Sequence, residues 1–130
     1  GADYIAAPEA RGWGIAGAVS LLTGKPLLMI RKAGKLPQSA NIVTVEYGTA
    51  YSKDSVEFIK KPEYQGKSVV VIDDGNATGG TAMAVRELLE KSGMSTLGFL
   101  TAIQYHYKQP RSEYLKWLEE GGFESSFYDL

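Results

Sequence analysis

The strongest chemical signal in the sequence is an acidic pair, Asp73-Asp74, followed closely by Gly75-Asn76-Ala77-Thr78-Gly79-Gly80-Thr81. Two carboxylates can accept hydrogen bonds from a vicinal diol, while Thr78, Thr81 and the glycine N–H groups can surround a monophosphate a few ångströms away. A 5-phosphoribose presents both groups at that spacing. Charge-assisted hydrogen bonds contribute about 1.5–3 kcal/mol each, so a handful supports micromolar binding after the cost of association. Taken alone, the same residues also make an acidic turn capped by threonine and glycine, with no ligand.

The elements on either side fix where that chemistry sits. Val69-Val70-Val71-Ile72 is a β-branched run without polar alternation, which reads as a strand covered on both faces in a parallel sheet. Residues 82–91 are good helix formers, with Met83, Leu88 and Leu89 suited to packing on that sheet. The turn therefore joins a strand's carboxyl end to a helix's amino end, where open α/β sheets bind ligands and unpaired N–H groups favour phosphate.

Upstream, residues 3–7 form a short strand ended by Pro8, which suits a central ladder poorly. A helix over 12–23 presents Trp13, Ile15, Ala16, Val19 and Leu22 as its apolar face and stops at Gly24. Residues 26–30 complete a right-handed βαβ unit. Residues 31–39, with three cations, glycine and proline, read as an exposed mobile loop. Residues 42–48 and 54–60 alternate partially with period two, as two strands of a hairpin-like arm. Downstream come a strand over 96–103, a helix over 110–120 with Tyr114, Leu115 and Leu118 on one side, and a last strand over 123–128.

Composition sets limits. The 130 residues, 44% hydrophobic and 22% charged, suit one domain spanning 1–130 with a single core. A net charge of −1 gives no broad attraction to nucleic acid or anionic membrane, so phosphate binding must be local. The absence of cysteine excludes disulfides and thiolate metal sites and agrees with a cytoplasmic location. No apolar run approaches the roughly 18 residues of a membrane span, and no secretory signal opens the chain.

Other motifs compete less well. Gly12-Trp13-Gly14-Ile15-Ala16-Gly17 matches the dinucleotide fingerprint G-x-G-x-x-G, but residues 8–11 separate it from the strand, and no acidic residue follows about 20 positions on. Gly75 and Gly80 have the spacing of a triphosphatase loop, yet Thr81 stands where lysine is needed. Asp73 to Asn76 lacks the alternating ligands and closing glutamate of a calcium loop. His106, between two tyrosines, has no visible carboxylate or second ligand and reads as a surface or packing residue.

The acidic pair and its turn resemble the 5-phosphoribosyl-1-pyrophosphate motif of type I phosphoribosyltransferases. Glu9-Ala10-Arg11-Gly12, Arg31-Lys32-Ala33-Gly34-Lys35-Leu36-Pro37 and Glu46-Tyr47-Gly48 resemble the adenine phosphoribosyltransferase branch in the same order. The resemblance runs over residues 3–93. It implies an α/β fold, a mainly parallel twisted sheet flanked by helices, with a flexible antiparallel arm. By that resemblance Asp73 and Asp74 hold the ribose hydroxyls near Mg2+, and Ala77, Thr78, Gly79, Gly80 and Thr81 hold the 5′-phosphate. Glu9, Ala10 and Arg11 form a pyrophosphate loop, often with a cis peptide, and Arg31, Lys32 and Lys35 add positive charge. Glu46, beside Tyr47, exchanges a proton with the purine.

The implied reaction transfers phosphoribose from phosphoribosyl pyrophosphate to a purine-like base, adenine first. Glu46, Arg11 and Lys35 are its catalytic candidates and a homodimer its implied assembly. Cations aimed at the leaving pyrophosphate and a lid over residues 34–51 suit that chemistry. A non-catalytic domain that binds phosphoribosyl pyrophosphate or a nucleotide is the alternative. The family's N-terminal hood is not expected within these residues, and Gly75-Asn76 replaces the aliphatic pair usual after the aspartates. Trp13, where the branch usually has phenylalanine, is expected in the core or on a wall of the site.

Overall fold

A computed structural model of the chain describes residues 1–37, 41–48, 53–76, 79–104 and 112–129. Its order is β1 (Tyr4–Pro8), α1 (Arg11–Thr23), β2 (Leu27–Lys32), β3 (Ile42–Gly48), β4 (Lys53–Ile59), a short 3-10 turn, β5 (Ser68–Asn76), α2 (Gly80–Lys91), β6 (Ser95–Gln104), α3 (Ser112–Glu119) and β7 (Phe123–Asp129). The seven strands form one mixed sheet in the order β3-β4-β2-β1-β5-β6-β7. β2, β1, β5, β6 and β7 are mutually parallel, which puts β5 at the middle of the parallel portion. The β-branched run of β5 is covered on both faces: Val69 and Val71 join the larger apolar cluster with α2, while Ile72 packs with Ala16 of α1.

Local expectations are refined or corrected at four points. Pro8 belongs to β1, pairing with Ile30 at the strand's last position. The register with β5 ends earlier, at Ala6 and Val71, so the missing proline N–H lies past the last partner on that side. Arg31 and Lys32 are strand residues, because β2 runs on to pair antiparallel with Glu57 and Val56 of β4. On α1 the sheet-facing residues are Gly12, Ala16, Trp13 and Val19, whereas Ile15 is exposed and Leu22 is 85% exposed. α1 is apolar nearly all round, so its periodicity does not fix which face turns inward.

The hairpin is present as expected: β3 and β4 pair from Ile42 with Ile59 to Gly48 with Lys53. α1 ends at Gly24, whose left-handed φ of 70° suits glycine. α3 buries Tyr114 and Trp117 and leaves Leu115 exposed, a second correction of facing. Among the described residues, no helix is long and apolar enough to cross a membrane.

Candidate functional site

β5 delivers the acidic pair to the carboxyl edge of the sheet, with Asp73 opposite Thr101 of β6. The Asp73 carboxylate accepts the Asp74 backbone N–H at 2.8 Å. Burial pushes the Asp73 carboxyl up to about 7, reinforced by its neighbour Asp74 and opposed by the Asp74 N–H and by Arg11. Gly12 makes this packing possible. A Cβ on it would lie 3.0 Å from both Asp73 Oδ1 and the Ile72 carbonyl, whereas one on Gly14 or Gly17 would meet nothing within 4 Å. The three glycines of the apparent dinucleotide fingerprint thus have unequal roles, and only the first is required by contact.

α2 opens just beyond. Gly79 stands at its N-cap with φ 83°, a left-handed conformation that glycine adopts without strain, and no acidic residue occupies the first turn. The helix dipole at that end favours an anion. Asp73, Gly75, Asn76, Gly79, Gly80 and Thr81 line a cavity of about 220 Å³ that also touches Val71, Val85 and Phe99. Ala77 and Thr78, the other expected phosphate contacts, lie outside the described residues, as does His106.

The cations gather on the β1 and β2 side. Glu9 N–H donates to Ile30 O at 2.9 Å, which seats Glu9 beside the end of β2. The Glu9–Ala10 peptide is cis, as the resemblance implies for this loop. The Glu9 side chain is only 9% exposed and accepts from Lys35 Nζ at 2.6 Å, the Lys32 backbone N–H at 2.7 Å and Arg31 Nε at 3.2 Å. Those donors, Lys35 first, pull its carboxyl down to about 2. Trp13 supports the group: its indole donates to Ala7 O at 2.9 Å, and the Arg31 guanidinium lies 5.3 Å from its ring centroid. The ring is half-buried against the smaller apolar cluster.

Arg11 opens α1 and places Nε 3.3 Å from Asp74 Oδ2, with its side chain 86% exposed. Such an exposed pair contributes little to stability and is readily exchanged for a ligand. The ammonium of Lys32 points elsewhere, to Asp54 Oδ2 at 2.6 Å and the Tyr47 hydroxyl at 3.0 Å. Burial lowers the Lys32 pKa, but these two partners more than offset it and leave it raised. The structure therefore brings Glu9, Arg31 and Lys35 together and separates the Lys32 ammonium from them. Glu46, in ladder register with Ser55, lines a second cleft of about 460 Å³ between β3 and α2, with Tyr47, Met83 and Arg86. Gly80 lines both spaces, so the hairpin stands beside the turn that opens α2.

Sequence reasoning missed Asp54, Gln104, Tyr114 and Glu124. Asp54 was within reach of it, since the hairpin register sets Asp54 opposite Tyr47. The other three carried no signal: Gln104 and Tyr114 meet Asn76 from 28 and 38 positions away, and Glu124 meets Tyr114 only once α3 and β7 have packed.

Comparison with known proteins covers most of the chain. A family model described as a phosphoribosyl transferase domain matches residues 1–120, well past the limit of 93 set by the motifs. The adenine phosphoribosyltransferase of Thermosipho africanus (strain TCF52B) is 40% identical over 111 residues, covering 84% of this chain and 63% of that relative. That of Chlorobaculum parvum (strain DSM 263 / NCIMB 8327) is 42% identical over 100 residues, or 75% of this chain and 55% of the relative. The chain thus spans less than two thirds of the length of these relatives. Among solved structures, adenine phosphoribosyltransferase from Thermoanaerobacter pseudethanolicus ATCC 33223 superposes with a TM-score of 0.82 at 31% identity, covering all of this chain and 72% of that one. The Saccharomyces cerevisiae enzyme, complexed with an imino-altritol bisphosphate and adenine, gives 0.78 at 28% identity, covering 98% and 68%.

Proposed function

The chain belongs to the phosphoribosyl transferase domain family, and from that premise we propose that it moves 5-phosphoribose from phosphoribosyl pyrophosphate to a purine-like base, adenine first, releasing pyrophosphate. We read residues 1–130 as one such domain. The observation that carries this reading is the arrangement along the sheet's carboxyl edge: a carboxylate pair next to a helix N-terminus with Arg11 on Asp74, and Arg31 and Lys35 gathered on Glu9 just past the end of β1.

In this reading the ribose hydroxyls donate to Asp73 and Asp74, and the 5′-phosphate rests on residues 77–81. As the bond from C1 to the pyrophosphate oxygen breaks, negative charge grows on the leaving group and positive charge on the sugar. Arg11 turns from Asp74, and Arg31 and Lys35 turn from Glu9, to meet that negative charge. A base nitrogen attacks C1, and its proton passes to Glu46. Tyr47 and Lys32 hold the hairpin beside the site. Asp73 and Asp74 fit Mg2+, a hard cation that takes one or two carboxylates together with substrate oxygens. They would hold it through the ribose hydroxyls or water, where its charge would help neutralise the pyrophosphate. Cytoplasmic location and homodimeric assembly belong to the same proposal.

Pyrophosphate release in the presence of Mg2+, phosphoribosyl pyrophosphate and a panel of purine and pyrimidine bases tests it. Turnover is expected with adenine, and Asp74→Asn or Arg11→Ala should reduce it about 100-fold, the scale of removing one preorganised charge contact. Binding of the donor without turnover on any base would favour the non-catalytic domain. No binding at all would sink both readings.

A further inference from the structure

Tyr114 of α3 grips both ends of the turn between the acidic pair and α2. Its hydroxyl accepts the Asn76 side-chain N–H at 2.9 Å. Its ring lies against Gly79, where an added Cβ would fall 2.5 Å from the ring Cγ. Asn76 is the last residue of β5 and Gly79 the N-cap of α2, so one buried side chain touches the strand end and the helix start together.

The hydrogen bonds run in one order. The Asn76 amide donates to Tyr114 and also to Gln104 Oε1 at 3.1 Å, and the Tyr114 hydroxyl donates to the Glu124 carboxylate on β7. Asn76 and Gln104 are each 8% exposed and Tyr114 2%. A buried donor left without an acceptor costs about 1–3 kcal/mol, so these side chains hold one another in a single arrangement. Phe99 and Trp117 pack around the Tyr114 ring, with centroids 6.1 and 6.2 Å away, which fixes its direction. An apolar residue at position 76 would make no such demand on its neighbours. The polar choice therefore ties the end of β5 to the start of α2 through residues of α3 and β7.

We propose that Tyr114 is a positioning residue for the phosphate site at the start of α2, setting Asn76 and Gly79 for a 5′-phosphate with Gln104 and Glu124 as its supports. The proposal rests on the reading of Gly79, Gly80 and Thr81, at the start of α2, as contacts of a ribose 5-phosphate. It assigns a role in ligand affinity to α3 and β7.

Calorimetric titration with two separate probes, ribose 5-phosphate and Mg2+-pyrophosphate, tests it on the full chain. Tyr114→Phe keeps the ring on Gly79 and removes the hydroxyl. It should weaken ribose 5-phosphate about five- to twentyfold, the scale of one buried hydrogen bond. Pyrophosphate, which meets Arg11, Arg31 and Lys35, should stay within about twofold. Glu124→Ala, at an exposed position of β7, should act in the same direction, and Glu124→Gln, which keeps an acceptor, should restore most of the affinity. A loss confined to ribose 5-phosphate supports the clamp, because general loosening would weaken both probes. If the parent chain binds ribose 5-phosphate and both Tyr114→Phe and Glu124→Ala bind it equally well, or lose both probes in parallel, the clamp is overturned and the site reading stands. If the parent binds neither probe, the site reading falls and takes the clamp with it.

Discussion

Asp73 and Glu9 are carboxylates driven in opposite directions by their surroundings, and each gives the chain a distinct pH response. Burial raises the Asp73 carboxyl from 3.8 to about 7. Between those values the folded chain keeps a proton that the unfolded chain releases, so Asp73 makes stability fall as pH rises towards 7. Donation from Lys35, the Lys32 N–H and Arg31 lowers Glu9 from 4.5 to about 2. Its contribution is present above pH 4.5 and lost as pH falls towards 2. Asp73→Asn removes the first response only. In metal-free buffer its melting temperature relative to the parent should climb by several degrees between pH 5 and pH 8.5, on the scale expected for about 1–2 kcal/mol in a chain of this size. A pH-independent difference would contradict the buried, protonated Asp73. The acidic pair was legible because two carboxylates after a β-branched run have few structural uses. The pairing of Glu9 with three donors was not, since it depends on where β1 and β2 end relative to one another.

The junction of α1 with β5 shows how an element places chemistry. α1 approaches the strand end so closely that a methyl group at position 12 would press on its neighbours, with Asp73 Oδ1 and the Ile72 carbonyl both 3.0 Å from a Cβ there. Backbone atoms of a central strand cannot move aside cheaply. Gly12→Ala is therefore expected to cost about 1–3 kcal/mol, as overpacking does, and to weaken donor binding by displacing Asp73. Gly14→Ala and Gly17→Ala meet open space in a helix interior and should instead stabilise by about 0.5–1 kcal/mol. Urea melts of the three variants check this, and equal losses at all three would revive the dinucleotide fingerprint. Strand β5, the hairpin and the Gly24 stop were readable from local pattern. The inward faces of α1 and α3 were not: apolar residues surround α1, and Tyr114, Leu115, Trp117 and Leu118 offer α3 more than one face. The burial of Asn76 could not be read from its neighbours in the turn, because its partners Gln104 and Tyr114 lie 28 and 38 positions away. Only the pairing of β5 with β6 and the packing of α3 bring them together.

For the whole molecule, the outward face of α1 bears on assembly. Leu21 and Leu22 are each 85% exposed near the end of the helix, on an element that shows little amphipathic contrast. Single exposed leucines are ordinary on a protein surface, but two adjacent ones on such a helix make a compact apolar site. Burying one leucine side chain is worth about 1.5–3 kcal/mol, and a twofold contact would bury each residue twice. A second copy of the chain is the occupant that agrees with the proposed homodimer. Leu21→Glu combined with Leu22→Glu would place like charges across that axis and should shift sedimentation from dimer to monomer at micromolar concentration. Both side chains already face water in the monomer, so its own packing should be unaffected. A variant that remains dimeric would move the interface off α1, and a parent chain that sediments as a monomer would remove the homodimer from the proposal.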